Sequence, residues 1–185
     1  MNDFCTGQKL EVDNQPYLVV ETDFVKPGKS QPFTRVKMKH LITGRVIERT
    51  YKSSDKADLA DIEEHEMRLL YRDGDGAVFM NDENFEQLQV MHGHIKKDVK
   101  QWLMDDRVYS IMIYKGEPIA IDPPTFMEMK ITQTDPGARG DTASGRVLKP
   151  ATLESGAKVQ IPIFVEEGEV IKVDTRTGTY VSRVK

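Results

Sequence analysis

Along most of the chain apolar and polar positions alternate in short runs separated by turn residues, the pattern of small β-barrels or sandwiches. Tyr17-Leu18-Val19-Val20 is a β-prone run that follows the turn-like Asp13-Asn14-Gln15-Pro16. Phe24-Val25 then runs into Lys26-Pro27-Gly28-Lys29-Ser30-Gln31-Pro32, whose two prolines and glycine exclude a regular helix or central strand. Residues 33–41 alternate again, Val36 and Met38 to one side, Arg35, Lys37 and Lys39 to the other. Thr43-Gly44 is a turn, and Val46-Ile47 opens a strand ending near Tyr51. The pattern predicts a hairpin with an exposed tip at Gly28-Lys29 and a basic face on its returning strand.

The polar run Ser53-Ser54-Asp55-Lys56-Ala57-Asp58 predicts a short helix through Asp61, and a first boundary falls near residue 62. Beyond it, residues 67–71 and 77–80 read as strands flanking the hairpin signal Asp73-Gly74-Asp75-Gly76. Two helices are expected next, one capped by Asn81 and running through Leu88, the other carrying Ile95, Val99, Trp102 and Leu103 at helical spacing. Strands at residues 109–114 and 118–121 precede the break at Asp122-Pro123-Pro124, which sets a second boundary near residue 126. The last part predicts strands at 126–132, 159–165, 170–173 and 180–184, with a loop at 135–141 and a hairpin turn at Gly178. The expectation is an all-β chain of three units, residues 1–62, 63–126 and 127–185. Each is at the small end of what folds alone, so docking between units would help them.

Charge sharpens this picture. The net charge of −4 conceals a split of +1, −6 and +1 across the three parts. Residues 26–52 hold eight basic side chains against the single acid Glu48. Such a stretch is either a localised site for a polyanion or a solvated strand face balanced in space by other segments. Cys5 is the only cysteine, which excludes an intramolecular disulfide and suits a reducing cytoplasm. The N-terminus lacks a basic-then-apolar signal pattern, and no apolar run has the roughly 20 residues of a membrane helix.

Candidate chemistry is sparse. His92-Gly93-His94 with Asp98 is a weak metal set without cysteine partners, and Asp73-Gly74-Asp75-Gly76 lacks the later ligands of a calcium loop. The tripeptide Arg139-Gly140-Asp141 matches a short adhesion motif of the kind that arises by chance. There is no phosphate loop, nucleophile elbow or zinc quartet, so no catalytic or metal residue is assigned and no enzyme is expected. Lys29 stands apart. At an exposed loop tip it supports no core, and it offers a flexible stem ending in an amine that can be covalently extended. Set against this, most loop lysines only keep a surface soluble.

Residues 24–37, through Lys26-Pro27-Gly28-Lys29-Ser30-Gln31-Pro32-Phe33, resemble the first-domain loop of the elongation factor P family, which commonly reads Lys-Pro-Gly-Lys-Gly-Gln-Ala-Phe. Lys149-Pro150-Ala151-Thr152-Leu153 with Gly156, Val159, Ile161-Pro162, Val165 and Gly168 resembles its third-domain signature. Residues 171–185, together with Phe79-Met80-Asn81 and Phe85-Glu86-Gln87-Leu88, extend the likeness to the whole chain in order. The resemblance implies an SH3-like barrel of the KOW type followed by two OB-fold barrels, arranged in an L. It implies a monomer that binds the ribosome between the peptidyl and exit sites, without a membrane, and relieves stalling at polyproline.

Carried onto this sequence, the resemblance makes Lys29 the loop-tip residue at the CCA end of prolyl peptidyl-tRNA, with Pro27, Gly28, Ser30 and Gln31 shaping the loop. It implies no cofactor beyond β-lysine joined to Lys29 by a dedicated ligase. Arg35, Lys37 and Lys39 would contact tRNA backbone. Gly140, Asp141, Thr142 and Ala143 would approach the exit-site codon, and Tyr180 and Arg183 would contact the ribosome. Ser30 and Pro32 depart from the usual Gly and Ala and predict a stiffer loop. Two rivals stand beside this reading: the paralogous elongation-factor-P-like protein, which normally lacks Pro-Gly-Lys at the tip, and a single-stranded RNA chaperone. The basic run 35–39 has no interleaved aromatics, against the chaperone.

Overall fold

The computed structural model describes residues 4–28, 31–136 and 147–184. Fifteen strands carry the described fold: β1 (Lys9–Val12), β2 (Gln15–Val25), β3 (Phe33–His40), β4 (Val46–Lys52), β5 (Asp58–Leu59), β6 (Ile62–Arg72), β7 (Gly76–Met80), β8 (Gln87–Met91), β9 (Val108–Tyr114), β10 (Glu117–Asp122), β11 (Phe126–Thr134), β12 (Leu148–Leu153), β13 (Lys158–Pro162), β14 (Val170–Asp174) and β15 (Thr179–Arg183). The only α-helix among the described residues is α1 (Lys97–Lys100). No described helix is long and apolar enough to cross a membrane. Contacts divide the chain into two compact units, residues 1–65 with 111–120, and residues 66–110 with 121–185.

In the first unit the strands run β4-β3-β2-β1-β5. Asp13 and Asn14 both have positive φ, as a tight β1–β2 hairpin turn requires. Leu10, Val12, Val19, Val36, Met38 and Tyr51 form the core, with Phe4 tilted against Tyr51 at 4.6 Å between ring centroids. The alternation of β3 is as its sequence predicts: Val36 and Met38 are fully buried, and Arg35, Lys37 and Lys39 are exposed. A bulge at Val20 in β2 turns that side chain outward. At the β3–β4 turn the buried His40 donates from Nε2 to Gln15 Oε1 at 3.1 Å, while its Nδ1 accepts from the Ile42 and Thr43 N–H groups. This bonding uses the neutral ring. Burial, helped by the charge of Arg45, holds the His40 pKa below its ordinary value.

The same unit includes the β9–β10 hairpin tip, where Leu41, Tyr114 and Ile119 form a second cluster with Leu18 and Ile62. Tyr114 Oη donates to Glu11 Oε2 at 2.8 Å, and Lys115 Nζ to Glu11 Oε1 at 3.1 Å and Asn14 Oδ1 at 2.5 Å. Those two donors hold the Glu11 carboxyl below its ordinary pKa.

The middle strands pair in the order β10-β9-β6-β7-β8. The last five close into a barrel, β11-β12-β13-β15-β14 with β14 back on β11, and β13 and β15 are parallel. This is the five-stranded Greek-key closure of an OB-fold. Its core holds Met127, Met129, Ile131, Leu153, Ile161, Ile171 and Val173 together with Trp102, which enters from outside the barrel's own strands.

Three expected helices are corrected. Asn81 starts a turn instead of a helix: its Oδ1 accepts the Glu83 N–H at 2.8 Å, its own N–H bonds Glu86 O at 2.9 Å, and Phe85 has φ +60°. That local bonding competes with a cap, and β8 follows at once. Ile95, Val99, Trp102 and Leu103 are all buried, but only Lys97–Lys100 is α-helical, preceded by a 3-10 turn at His92–His94. One helical turn places these side chains, and a longer helix is not needed. The stretch expected to be helical through Asp61 is a turn, with Asp55 Oδ2 accepting the Lys52 N–H at 2.8 Å, followed by β5 paired to the edge of β1. Pattern reading also missed β1 and β12, and carried the 159–165 strand beyond Pro162.

Candidate functional site

The loop at residues 26–32 leaves from the end of the β2–β3 hairpin, where Val25 pairs with Phe33 and Phe33 in turn with Lys52 of β4. β3 is therefore paired on both sides from its first residue, which makes the loop base a three-stranded platform instead of a bare hairpin. Rigid strands carrying an exposed loop are the arrangement in which binding groups concentrate. Pro27 is half-buried, and Gly28 and Gln31 are exposed; a Cβ at Gly28 would meet nothing within 4 Å. Lys29 and Ser30 lie outside the described residues, as do Gly140, Asp141, Thr142 and Ala143. Phe24, 63% exposed at the loop base, is a residue that the sequence reading did not single out. Its place opposite Thr34 on a hairpin end could have flagged it.

The basic face of β3 is interleaved with acids. Arg35 pairs across the strands with Asp23, and Lys37 with Glu21 on one side and Glu48 on the other. Lys37 Nζ lies 3.6 Å from Glu21 Oε2, and the Arg35 guanidinium sits 5.7 Å from the Phe33 ring centroid. Arg49 is ion-paired with Asp13. Lys39 differs: its strand neighbours are Leu18 and Val46, with no carboxylate opposite. Three of the eight cations, Arg35, Lys37 and Arg49, thus have acids set against them, and Lys39 is the freest described cation on β3.

Tyr180 and Arg183 both lie on β15. Three residues apart on a regular strand they would face opposite ways. A register shift at Val181 pairs Tyr180 with Val173 and Arg183 with Ile171, putting both on the side of two buried partners. Tyr180 packs half-buried against the barrel core. Arg183 is exposed, with Nη1 3.2 Å from Glu169 Oε1 and its guanidinium 5.3 Å from the Phe164 ring centroid. The Glu166 N–H and Arg183 hold the Glu169 carboxyl below its ordinary pKa.

The weak metal motifs are built as turns. Asp73 Oδ1 accepts the Asp75 and Gly76 N–H groups at 2.9 and 2.7 Å, and His92 Nε2 lies 3.2 Å from Asp73 O. No three His, Cys, Asp or Glu side chains among the described residues are arranged to hold a metal.

Comparison with known proteins matches each part of this fold. Residues 1–57 match the elongation factor P KOW-like domain, 62–121 the elongation factor P OB domain, and 127–183 the elongation factor P C-terminal domain. Elongation factor P 2 of Protochlamydia amoebophila is 63% identical over 178 residues, covering 96% of this chain and 93% of that protein. Elongation factor P 2 of Chlamydia pneumoniae is 55% identical over 183 residues, covering 99% and 96%. Among solved structures, eukaryotic translation initiation factor 5A from Methanococcus jannaschii shares the fold, with a TM-score of 0.52 at 21% identity over 65% of this chain and 89% of that one. The chain belongs to the elongation factor P family of translation elongation factors, which are not enzymes.

Proposed function

We propose that the protein binds the ribosome between the peptidyl and exit sites and promotes peptide-bond formation at polyproline by positioning prolyl peptidyl-tRNA through Lys29. The observation that carries this reading is the Lys-Pro-Gly-Lys loop on a strand platform paired on both sides to Phe33. Proline's ring restricts approach of the reacting amine and ester. A fixed partner at the tRNA end supplies alignment, while ribosomal RNA keeps the chemistry. Pro27, Gly28, Ser30 and Gln31 shape the loop. Lys39 is the β3 cation best placed for tRNA backbone, with Arg35 and Lys37 contributing less because acids face them. Gly140, Asp141, Thr142 and Ala143 approach the exit-site codon, and Tyr180 and Arg183 contact the ribosome.

In this reading the protein works as a cytoplasmic monomer of three functional segments, residues 1–62, 63–126 and 127–185. A dedicated ligase extends Lys29 by β-lysylation. The neutral Nζ attacks the activated carboxyl of β-lysine, an amide forms, the activating group leaves and Nζ gives up a proton. The added amine lengthens the reach toward RNA phosphates and 2′-hydroxyls. Interleaved acids on the β3 face weigh against the RNA-chaperone reading, and the Pro-Gly-Lys tip weighs against the paralogue. Lys29→Ala is expected to abolish relief of stalling on a triple-proline reporter with an unchanged melting curve. Normal reporter synthesis by that variant would contradict the assignment, and intact mass of the protein from its native cells reads the modification directly.

A further inference from the structure

A cleft lies in the second unit, far along the sequence from the loop of residues 26–32. It encloses about 350 Å³ and is lined by Arg107, Val108, Pro124, Phe126, Met127, Glu128 and Lys172. Phe126 opens β11 out of phase with the buried Met127, Met129 and Ile131, so its ring stands outward and remains 48% exposed. Lys172, from the paired strand β14, holds its Nζ 5.0 Å from that ring's centroid. Arg107 contributes a guanidinium whose only described hydrogen bond is a long one, 3.5 Å, to Glu128 O. Glu128 pairs across the strands with Lys172, yet their charged ends form no ion pair; the ammonium goes to the ring.

An exposed aromatic face, two cations without a carboxylate partner and one free carboxylate thus converge on a concave surface of a β-barrel. Arg49, Arg68 and Arg176 are ion-paired with acids, whereas Arg107 and Lys172 form no ion pair among the described residues and share one concave surface with an aromatic ring. Cations with an aromatic platform are the chemistry that holds single-stranded nucleic acid: the phosphate meets the charges and the base stacks on the ring. We propose that this cleft binds one unstacked RNA nucleotide. Its base stacks on Phe126, its phosphate sits between Arg107 and Lys172, and a 2′-hydroxyl or exocyclic amine donates to Glu128. Only the source of the nucleotide, tRNA or ribosomal RNA, rests on the function proposed above.

The direct test is an amide-resolved NMR titration of the full chain with tetra-adenylate RNA, alongside a blunt RNA duplex and inorganic phosphate at equal ionic strength. The expected result is tetranucleotide-specific shifts at residues 107–108, 124–128 and 172. Phe126→Ala should weaken binding about tenfold, and Arg107→Gln with Lys172→Gln should flatten its salt dependence. Absence of shifts there, equal binding of duplex, or the same shifts from phosphate alone would overturn the inference. These arms involve neither ribosomes nor Lys29, so they stand or fall separately from the triple-proline assay. With p-benzoylphenylalanine in place of Phe126, photocrosslinking on ribosomes with and without tRNA separates the two RNA sources. Crosslinks to ribosomal protein alone would likewise overturn the assignment.

Discussion

Trp102→Ala removes the only tryptophan, a side chain 2% exposed in the core of the C-terminal barrel although it lies outside the barrel's strands. Its ring packs with Met127, Met129 and their neighbours, and its Cζ2 sits 3.9 Å from where a Cβ on Gly178 would be. An aromatic ring of roughly 200 Å² buried at about 25 cal/mol/Å² represents about 5 kcal/mol. Residual burial in the unfolded chain lowers that figure. Large-to-alanine substitutions of this kind cost about 3–5 kcal/mol, and the same range is expected here. The Tyr109 hydroxyl, which donates to Trp102 O at 2.8 Å, keeps its backbone partner and adds no further loss. Guanidinium unfolding followed by far-UV circular dichroism measures the change, with Trp102→Phe as the conservative variant expected to lose less than half as much. Native-state hydrogen exchange locates it: protection should fall in β11–β15 and persist in β2 and β3, which belong to the other unit. A loss under about 1 kcal/mol, or uniform loss in both units, would refute the account of Trp102 as a barrel plug.

Three further outcomes follow from the geometry. Neutral His40 is favoured in the fold, so its stabilising contribution is complete above the unfolded pKa near 6.5 and declines as pH falls through the lowered folded value; the urea midpoint of the first unit should drop between pH 7.5 and 5.5, and His40→Gln should remove most of that dependence. A Cβ at Gly76 would lie 2.2 Å from Val90 O, a backbone atom, so Gly76→Ala should force β7 from β8 and cost about 1–3 kcal/mol or more by chemical denaturation, whereas Gly74→Ala, with nothing within 4 Å, should be nearly silent. Arg183→Ala should weaken ribosome binding and reduce the slope of log affinity against log salt by about one, and an unchanged salt titration would remove Arg183 from the interface.

Strand periodicity and turn chemistry carry most of the fold in this sequence. The alternation of Val36 and Met38 with Arg35, Lys37 and Lys39 gives β3 its faces, and Asp73-Gly74-Asp75-Gly76 marks the β6–β7 hairpin. Short local signals mislead where tertiary pairing decides. Asn81 is as good a turn former as a cap, and only the β7–β8 register tells which. Helical spacing at Ile95, Val99, Trp102 and Leu103 identifies buried residues without fixing a helix, because Trp102 is held by a barrel 24 residues further along the chain at its first strand. At the candidate site the loop is legible from its two prolines and glycine, while Lys29 is marked out by the family resemblance of the Lys-Pro-Gly-Lys motif. The neutralisation of Lys37 by Glu21 and Glu48 is not, since cross-strand partners are a property of register. The shared face of Tyr180 and Arg183 depends on a one-residue bulge that no alternation pattern contains.

An acidic protein that works on RNA must avoid holding every polyanion it meets while keeping one cation available at one place. A continuous basic strand would bind phosphate backbone wherever it is found, with an affinity set by counterion release and not by position. Here Arg35, Lys37 and Arg49 are set against Asp23, Glu21 and Asp13, so the long-range field of these three is largely cancelled and falls off within a Debye length. What survives is local: cations such as Lys39, with no carboxylate opposite on either neighbouring strand, count only when shape brings RNA into contact. For the proposed function this ordering matters. Positioning a tRNA end requires the loop base to move little, and β3 is anchored by two fully buried side chains and by strands on both flanks to its end. In the proposed function charge balance and strand pairing act together, the first suppressing binding at the wrong place and the second fixing the base of the loop whose sequence carries Lys29.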